Sequence, residues 1–443
     1  MDSPIFDFAK DYDLSGAARM HMPGHKGNGP LGVERYDLTE IDGADDLFSP
    51  DGIIARSEAQ ASEIFGAHTF YSTEGSSLSI RAMLYLLEQY AAERGERVRL
   101  LAARNAHRSF ISGLSLMGID PIWLRSDSNS YLSARIDPDM LRKTISSLDK
   151  PPHALYITSP DYLGNMQNIR DIADACHDFG TLLMVDNAHG AYLKFLEKSM
   201  HPIDLGADIC ADSAHKTLPC LGGGGYLHIS KSAPKILKDK AKSGLALFGS
   251  TSPSYLILES LDLLNGYLKD GIREDIKTAT RKVDEVKNKL REIGFTVVSD
   301  EPLKITLLPK SYGYTGKEIA EHLRHDGIYV EFYDDDHLVM MPPICDGGEC
   351  DRVIYSLSQI KKKEAIITVP PKTPYPVRKI SPREALLSHS ERVPIESALG
   401  RVAAELCISC PPAVPIVVSG EIIDNDVVSL LKYYRFEYIS VTK

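Results

Sequence analysis

An α/β fold built on a mainly parallel sheet is predicted by two observations. Short apolar runs of strand length alternate with segments whose apolar residues recur at helical spacing. Each run is then followed at once by polar or titratable residues, as at the carboxyl ends of strands in an open parallel sheet.

The elements follow in order. Residues 1–50 are rich in Gly, Pro and Asp and read as an N-terminal arm with short helices. A large α/β domain is expected over 51–270. It opens with the helical "SEAQASEIFGAH", the polar turn "STEGSS" and the helix "LSIRAMLYLLEQYAAERGER". The runs "VRLLAA", "PIWL", "ALYIT", "TLLMVD" and "ADIC" follow, with "DPDMLRKTISSL" and "NIRDIADACHDFG" as helices between them. A long helical stretch begins near Ser254. A small α+β domain over 271–367 carries the strands "FTVVSD", "LKITLLP", "IYVEFY" and "HLVMMPP" and the helix "GKEIAEHLRHDG". The proline-dense "TVPPKTPYPVRKISP" reads as a linker into a C-terminal domain, 368–443.

Composition narrows the function. The chain has 443 residues, 43% hydrophobic and 25% charged, enough for a large core. A formal net charge of −11 argues against a nucleic-acid partner. No apolar run reaches the ~18 residues that cross a bilayer, and the N-terminus lacks a signal-peptide layout. Cytoplasmic residence, with no membrane partner, is the expectation. Seven cysteines in so long a chain make no disulfide framework. Cys345 and Cys350, with Cys407 and Cys410, have thiolate spacing of the kind that holds zinc, but the pairs are far apart and free thiols are expected.

Four strand ends bear chemistry. "TLLMVD" ends in Asp186, then Asn187 and His189. "VRLLAA" leads to Arg104, Asn105 and His107. "ALYIT" leads to Ser159, Asp161 and Tyr162. "ADIC" leads to Asp212, Ser213, His215 and Lys216. "EGSS", Glu74 to Ser77, opens a long helix, where backbone N–H groups and hydroxyls suit a phosphate or simply cap the helix. Neither a P-loop nor a Gly-x-Gly-x-x-Gly spacing is present. A phosphate site, a strand-end aspartate, histidines and a lysine make a coherent set for pyridoxal 5'-phosphate (PLP). The lysine amine condenses with an aldehyde, and the aspartate keeps the ring nitrogen protonated.

The segments "RMHMPGHKGN", "DLTEIDGADDLFSPDG", "ARNAHRSF", "ITSPDYLGNMQNI", "LLMVDNAHGAYLKF", "DSAHKTLP" and "STSPSYLILESLD" resemble, in order and approximate spacing, the fold-type-I PLP-dependent ornithine/lysine/arginine decarboxylases, most closely their short bacterial form. The C-terminal "SPREALLSHSERVPIESALGRVAAELCISCPPAVPIVVSGEII" resembles that family's C-terminal domain. The resemblance implies an aspartate-aminotransferase-like (PLP-dependent transferase-like) large domain, an α+β small domain and a C-terminal decarboxylase domain. It implies decarboxylation of a basic L-amino acid to its amine and CO2, within polyamine biosynthesis. It assigns Lys216 as the Schiff-base lysine, Asp186 as partner of the pyridine nitrogen, and His189 as a neighbour of the substrate. His107 is the ring-stacking residue. Gly75, Ser76, Ser77, Ser213 and His215 lie on the phosphate side. Ser250, Thr251 and Ser252 reach the phosphate of a neighbouring subunit, which implies a homodimer with sites at its interface. Two other readings fit the same scaffold: transamination or retro-aldol chemistry, and a poorly active regulatory paralogue.

Several residues depart from the family pattern. Glu74 and Asn187 stand where Asn and Glu are usual, Gly222 to Gly225 where Gln and hydroxyl residues are usual, and Gly249 where Gln is common. A carboxylate at Glu74 would repel a phosphate unless it points away. The glycines are expected to mark altered surroundings of phosphate and substrate. His21 and His25 fit either an active-site entrance or a structural turn. The run Asp334–Asp336 is expected to be a solvated loop, with a cation site as the alternative.

Overall fold

The computed structural model describes residues 2–126, 128, 130–405 and 412–443. The first half contains α1 (Pro4–Leu14), α2 (Ile53–Phe65), β1 (His68–Ser72), α3 (Gly75–Ala92), β2 (Leu100–Ala103), α4 (Arg108–Met117), β3 (Ile122–Leu124), α5 (Pro138–Ser146), β4 (Ala154–Thr158), α6 (Ile169–His177), β5 (Leu182–Asp186), β6 (Ile209–Asp212), α7 (Ala214–Thr217) and β7 (Gly225–Ile229). These strands form a seven-stranded sheet in the order β1-β7-β6-β5-β4-β2-β3. β5 pairs β6 and β2 pairs β3 in parallel, whereas β7 runs antiparallel to both β6 and β1. Every residue of β2, β5, β6 and β7 is buried, as expected of strands covered on both faces.

The remainder contains α8 (Lys235–Phe248), α9 (Tyr255–Asp270), α10 (Ile272–Ile293), β8 (Thr296–Val297), β9 (Ile305–Leu308), α11 (Gly316–His325), β10 (Phe332–Tyr333), β11 (Leu338–Met340), α12 (Glu349–Ser358), α13 (Pro382–Leu387), β12 (Ser390–Pro394), α14 (Asn425–Tyr433) and β13 (Tyr438–Thr442). β10-β11-β9-β8 make an antiparallel sheet, and β12 pairs β13. Both α11 and α13 begin with full capping boxes, Thr315 with Glu318 and Ser381 with Glu384. No described helix is long and apolar enough to cross a membrane.

The chain divides into two compact units. One comprises Met1–Val98, Arg142–Tyr156 and Ile169–Glu274; the other comprises Arg99–Leu141, Ile157–Asn168 and Asp275–Lys443. In the first, the N-terminal helix is docked: Asp262 Oδ2 accepts from Ile5 N at 2.8 Å and Phe6 N at 3.1 Å. His21 and His25 make local bonds there, to the Tyr12 hydroxyl at 2.7 Å and to Asp37 at 3.1 Å. In the second, Tyr131, Leu132, Tyr162 and Leu163 share one apolar cluster with Ile395, Val414, Leu431 and Val441. The run Asp334–Asp336 is not a solvated loop. Asp335 pairs with Arg435 at 2.6 Å, Asp336 with Lys310 at 2.7 Å, and Asp334 Oδ1 accepts from the backbone N–H of Asp336 and His337. Cys345 is exposed and Cys350 buried, both as free thiols; Cys407 and Cys410 lie outside the described residues.

Arg104, just after β2, donates to Glu421 Oε2 at 2.8 Å and to the Ile416 carbonyl at 3.2 Å, with both charged side chains almost wholly buried. Removing one partner leaves the other charge without compensation in low dielectric. Glu421→Ala is expected to cost about 3–5 kcal/mol in a urea melt. A loss under ~1 kcal/mol would show the pair to be unimportant.

Candidate active site

The site is assembled at the carboxyl ends of β5 and β6 in the first unit. β5 delivers Asp186, fully buried, and the turn that follows carries His189. β6 runs into α7, a single turn that carries His215 and Lys216. The Lys216 Nζ lies 3.1 Å from His189 Nε2. An amine and an imidazole at that distance share a proton.

Asp186 is held from two sides. Its Oδ1 accepts from Ala188 N at 3.1 Å and its Oδ2 from the Tyr156 hydroxyl at 3.1 Å. Burial pushes its carboxyl pKa up; the Ala188 N–H, the Lys216 charge and the Tyr156 hydroxyl pull it back. Such an aspartate gains most from a buried cationic partner. Tyr156 was not anticipated: it sits inside an apolar strand run, where a tyrosine reads as core.

The start of α3 faces α7. Gly75 takes φ +61, a conformation that favours glycine. Ser76 N donates to Ser213 Oγ at 3.2 Å, and the Ser213 hydroxyl donates to Ser76 Oγ at 2.8 Å. Two hydroxyls thus gather at a helix N-terminus, the donor set for an anion. Ser77 is the next residue of that first turn. His215 is turned to the backbone, with Nδ1 2.8 Å from the Gly224 carbonyl. Burial lowers its pKa against that bond, and Lys216 adds to the lowering.

Part of the glycine run packs against backbone. Gly75 N donates to Gly223 O at 2.6 Å, and His215 N donates to Gly224 O at 3.1 Å. A Cβ on Gly225 would meet Gly75 C at 2.8 Å and Asp212 O at 2.9 Å; one on Gly223 would meet Thr73 O at 2.8 Å. These glycines let the approach to β7 pack directly on the α3 turn. Gly223 and Gly225 are packing residues.

Glu74 has a backbone partner. Its Oε1 accepts from Ser250 N at 2.9 Å, which commits the carboxylate to the exposed segment Ser250–Ser252. Thr251 lies in that segment. His107 belongs to the second unit, where it caps α4 and its Nδ1 accepts from Ser109 N at 3.2 Å.

A lysine against a histidine, a buried aspartate on the adjoining strand end and a hydroxylated helix start, on a mainly parallel sheet, define a fold-type-I α/β enzyme. Lysine decarboxylase A from Pseudomonas aeruginosa has this fold at a TM-score of 0.80, with 17% identity over 99% of this chain and 80% of that one. The arginine decarboxylase of Bacillus subtilis is 28% identical over 97% of this chain and 93% of its own length. That of Halalkalibacterium halodurans is 29% identical over 98% and 93%. Residues 3–295 match the family model "Orn/Lys/Arg decarboxylase, major domain", and residues 370–440 match "Orn/Lys/Arg decarboxylase, C-terminal domain". The chain belongs to the Orn/Lys/Arg decarboxylase family, and so to the amino-acid decarboxylases.

Two alanine substitutions test the glycine packing. Gly225→Ala is expected to lower stability by roughly 1–3 kcal/mol, because backbone atoms surround the new methyl. Gly222→Ala meets nothing within 4 Å and should stay within ~0.5 kcal/mol of wild type. Equal melting temperatures for the two would refute the packing role.

Proposed function

We propose that this protein decarboxylates a basic L-amino acid with PLP as cofactor, as a cytoplasmic homodimer. The observation that carries the reading is the contact of Lys216 with His189 beside a fully buried Asp186. The donor set fits PLP. Lys216 is the amine for its aldehyde, Asp186 the anion for its ring nitrogen, and the Ser76–Ser213 hydroxyls at the α3 N-terminus suit its phosphate. Two relatives that match nearly the whole chain are named arginine decarboxylases, which favours arginine over lysine and ornithine.

When bound, PLP supplies an aldehyde that condenses with amines and a ring that accepts the electron pair left by departing CO2. The protein's own residues do the rest. Asp186 would keep a proton on the ring nitrogen, because a buried carboxylate is most stable beside a cation. Lys216 would supply the amine that holds PLP, and its Nζ would take up or give a proton. His189 sits where it passes a proton to or from the Lys216 Nζ. His107 is assigned to the ring face. The segment Ser250–Ser252, tethered by Glu74, is assigned to the phosphate of the second subunit, so dimerisation would complete each site.

Lys216→Ala should abolish the visible absorbance of bound PLP and all turnover; an unchanged spectrum refutes the assignment. Asp186→Ala should lower kcat by at least roughly a hundredfold, the scale of a lost electrostatic stabiliser. An assay with L-arginine, L-lysine and L-ornithine should release CO2 and an amine from one of them. A keto acid or aldehyde as the product would move the protein to transaminase or aldolase chemistry.

A further inference from the structure

Beneath the site lies a second carboxylate that the proposed reaction does not use. Asp212 ends β6 and is fully buried. Strand alternation puts its side chain on the face opposite that of Ala211, the residue registered with Asp186. Four donors close on it. Oδ2 meets His201 Nε2 at 3.0 Å and His228 Nε2 at 3.2 Å. Oδ1 accepts from Asn187 Nδ2 at 2.8 Å and from the Cys210 thiol at 3.4 Å. The Thr69 hydroxyl lies 2.9 Å from His228 Nδ1 and fixes that ring in turn. Burial would raise the Asp212 pKa, but the two histidines hold it far below the usual carboxylate range.

The bond to Asn187 connects this buried anion to the site. A carboxylate accepts only, so it orients the Asn187 amide with its NH2 group inward. The Asn187 backbone is fixed as well: its N donates to Ala211 O at 2.9 Å, and its carbonyl accepts from Gly190 N at 2.8 Å. Asn187 is thus clamped at three points. Asp186 precedes it, Ala188 with the N–H that holds Asp186 follows it, and His189 comes next.

We propose that Asp212 is a positioning residue: through its hydrogen bond to Asn187 it fixes the 186–190 turn that aims Asp186 and His189. The inference rests on the decarboxylase reading for its kinetic readout alone. Its structural readout is independent of that reading.

The test is a polarity swap. Asp212→Asn removes the charge, and Asn187→Asp sets two carboxylates against each other. The double variant Asn187→Asp/Asp212→Asn restores one donor facing one acceptor. Amide hydrogen exchange over 186–190 should speed up on the order of tenfold in each single variant, the weight of one hydrogen bond to a charged group. It should return to within about threefold of wild type in the double variant. kcat should follow the same order with KM changed less than about twofold, since the turn orients reacting groups rather than binding substrate. If Asp212→Asn fails to fold, Asn187→Ala leaves the histidines and Cys210 in place and must still speed exchange. Unchanged exchange in the single variants, or a double variant no better than the product of the two, overturns the inference. So does a stoichiometric metal in the purified protein, because His201, Cys210 and Asp212 would then be its ligands. A wild-type protein that releases no CO2 would overturn the decarboxylase reading, while the exchange pattern would still decide the role of Asp212.

Discussion

The carbonyls of Gly223 and Gly224 hold the site together. One takes the N–H of Gly75, the other the N–H and ring of His215. The start of α3, the turn of α7 and the approach to β7 are thereby drawn into one backbone cluster. Side chains larger than hydrogen at 223 or 225 would force these segments apart. The meeting of Ser76 with Ser213 follows from that closeness.

On this frame the chain buries charge in two opposite ways. Asp186 is buried with few partners, so its carboxyl is pushed toward the neutral form and gains from a cation. Asp212 is buried with four partners, so it stays ionised. One carboxylate is poised for a ligand and the other is saturated. The same residue type thus does two jobs at adjoining strand ends, and the difference lies in the donors around each.

The strand-end chemistry was legible in the sequence because polarity switches abruptly after apolar runs. Asp186, His189, His215 and Lys216 stand in two short segments, and the sheet needs only to place those segments side by side. β1 and β7 were not legible. "HTFYS" follows directly on a helical pattern, and "GYLHI" is masked by the glycines before it. Their antiparallel pairing carries no local signal. The packing role of Gly223 and Gly225 was not legible, because a gap in side chains looks the same in sequence whether ligand or backbone fills it. Glu74 would repel a phosphate unless it points away, and only the fold shows Ser250 N as its partner. Asp212 is legible as a strand-end carboxylate, but its partners are not: His201 and His228 reach it only through tertiary structure.

The second unit also bears on how the chain is made. Arg104 finds its counter-charge on Glu421, 317 residues further along, and Arg108 N donates to Ala413 O. Tyr131 and Leu132 share their core with Val414 and Val441. By residue 274 every segment of the first unit has been synthesised. Early segments of the second meet Ala413, Val414, Glu421 and Val441 only after those residues have been made. Translation therefore supplies the last partners of the first unit well before those of the second.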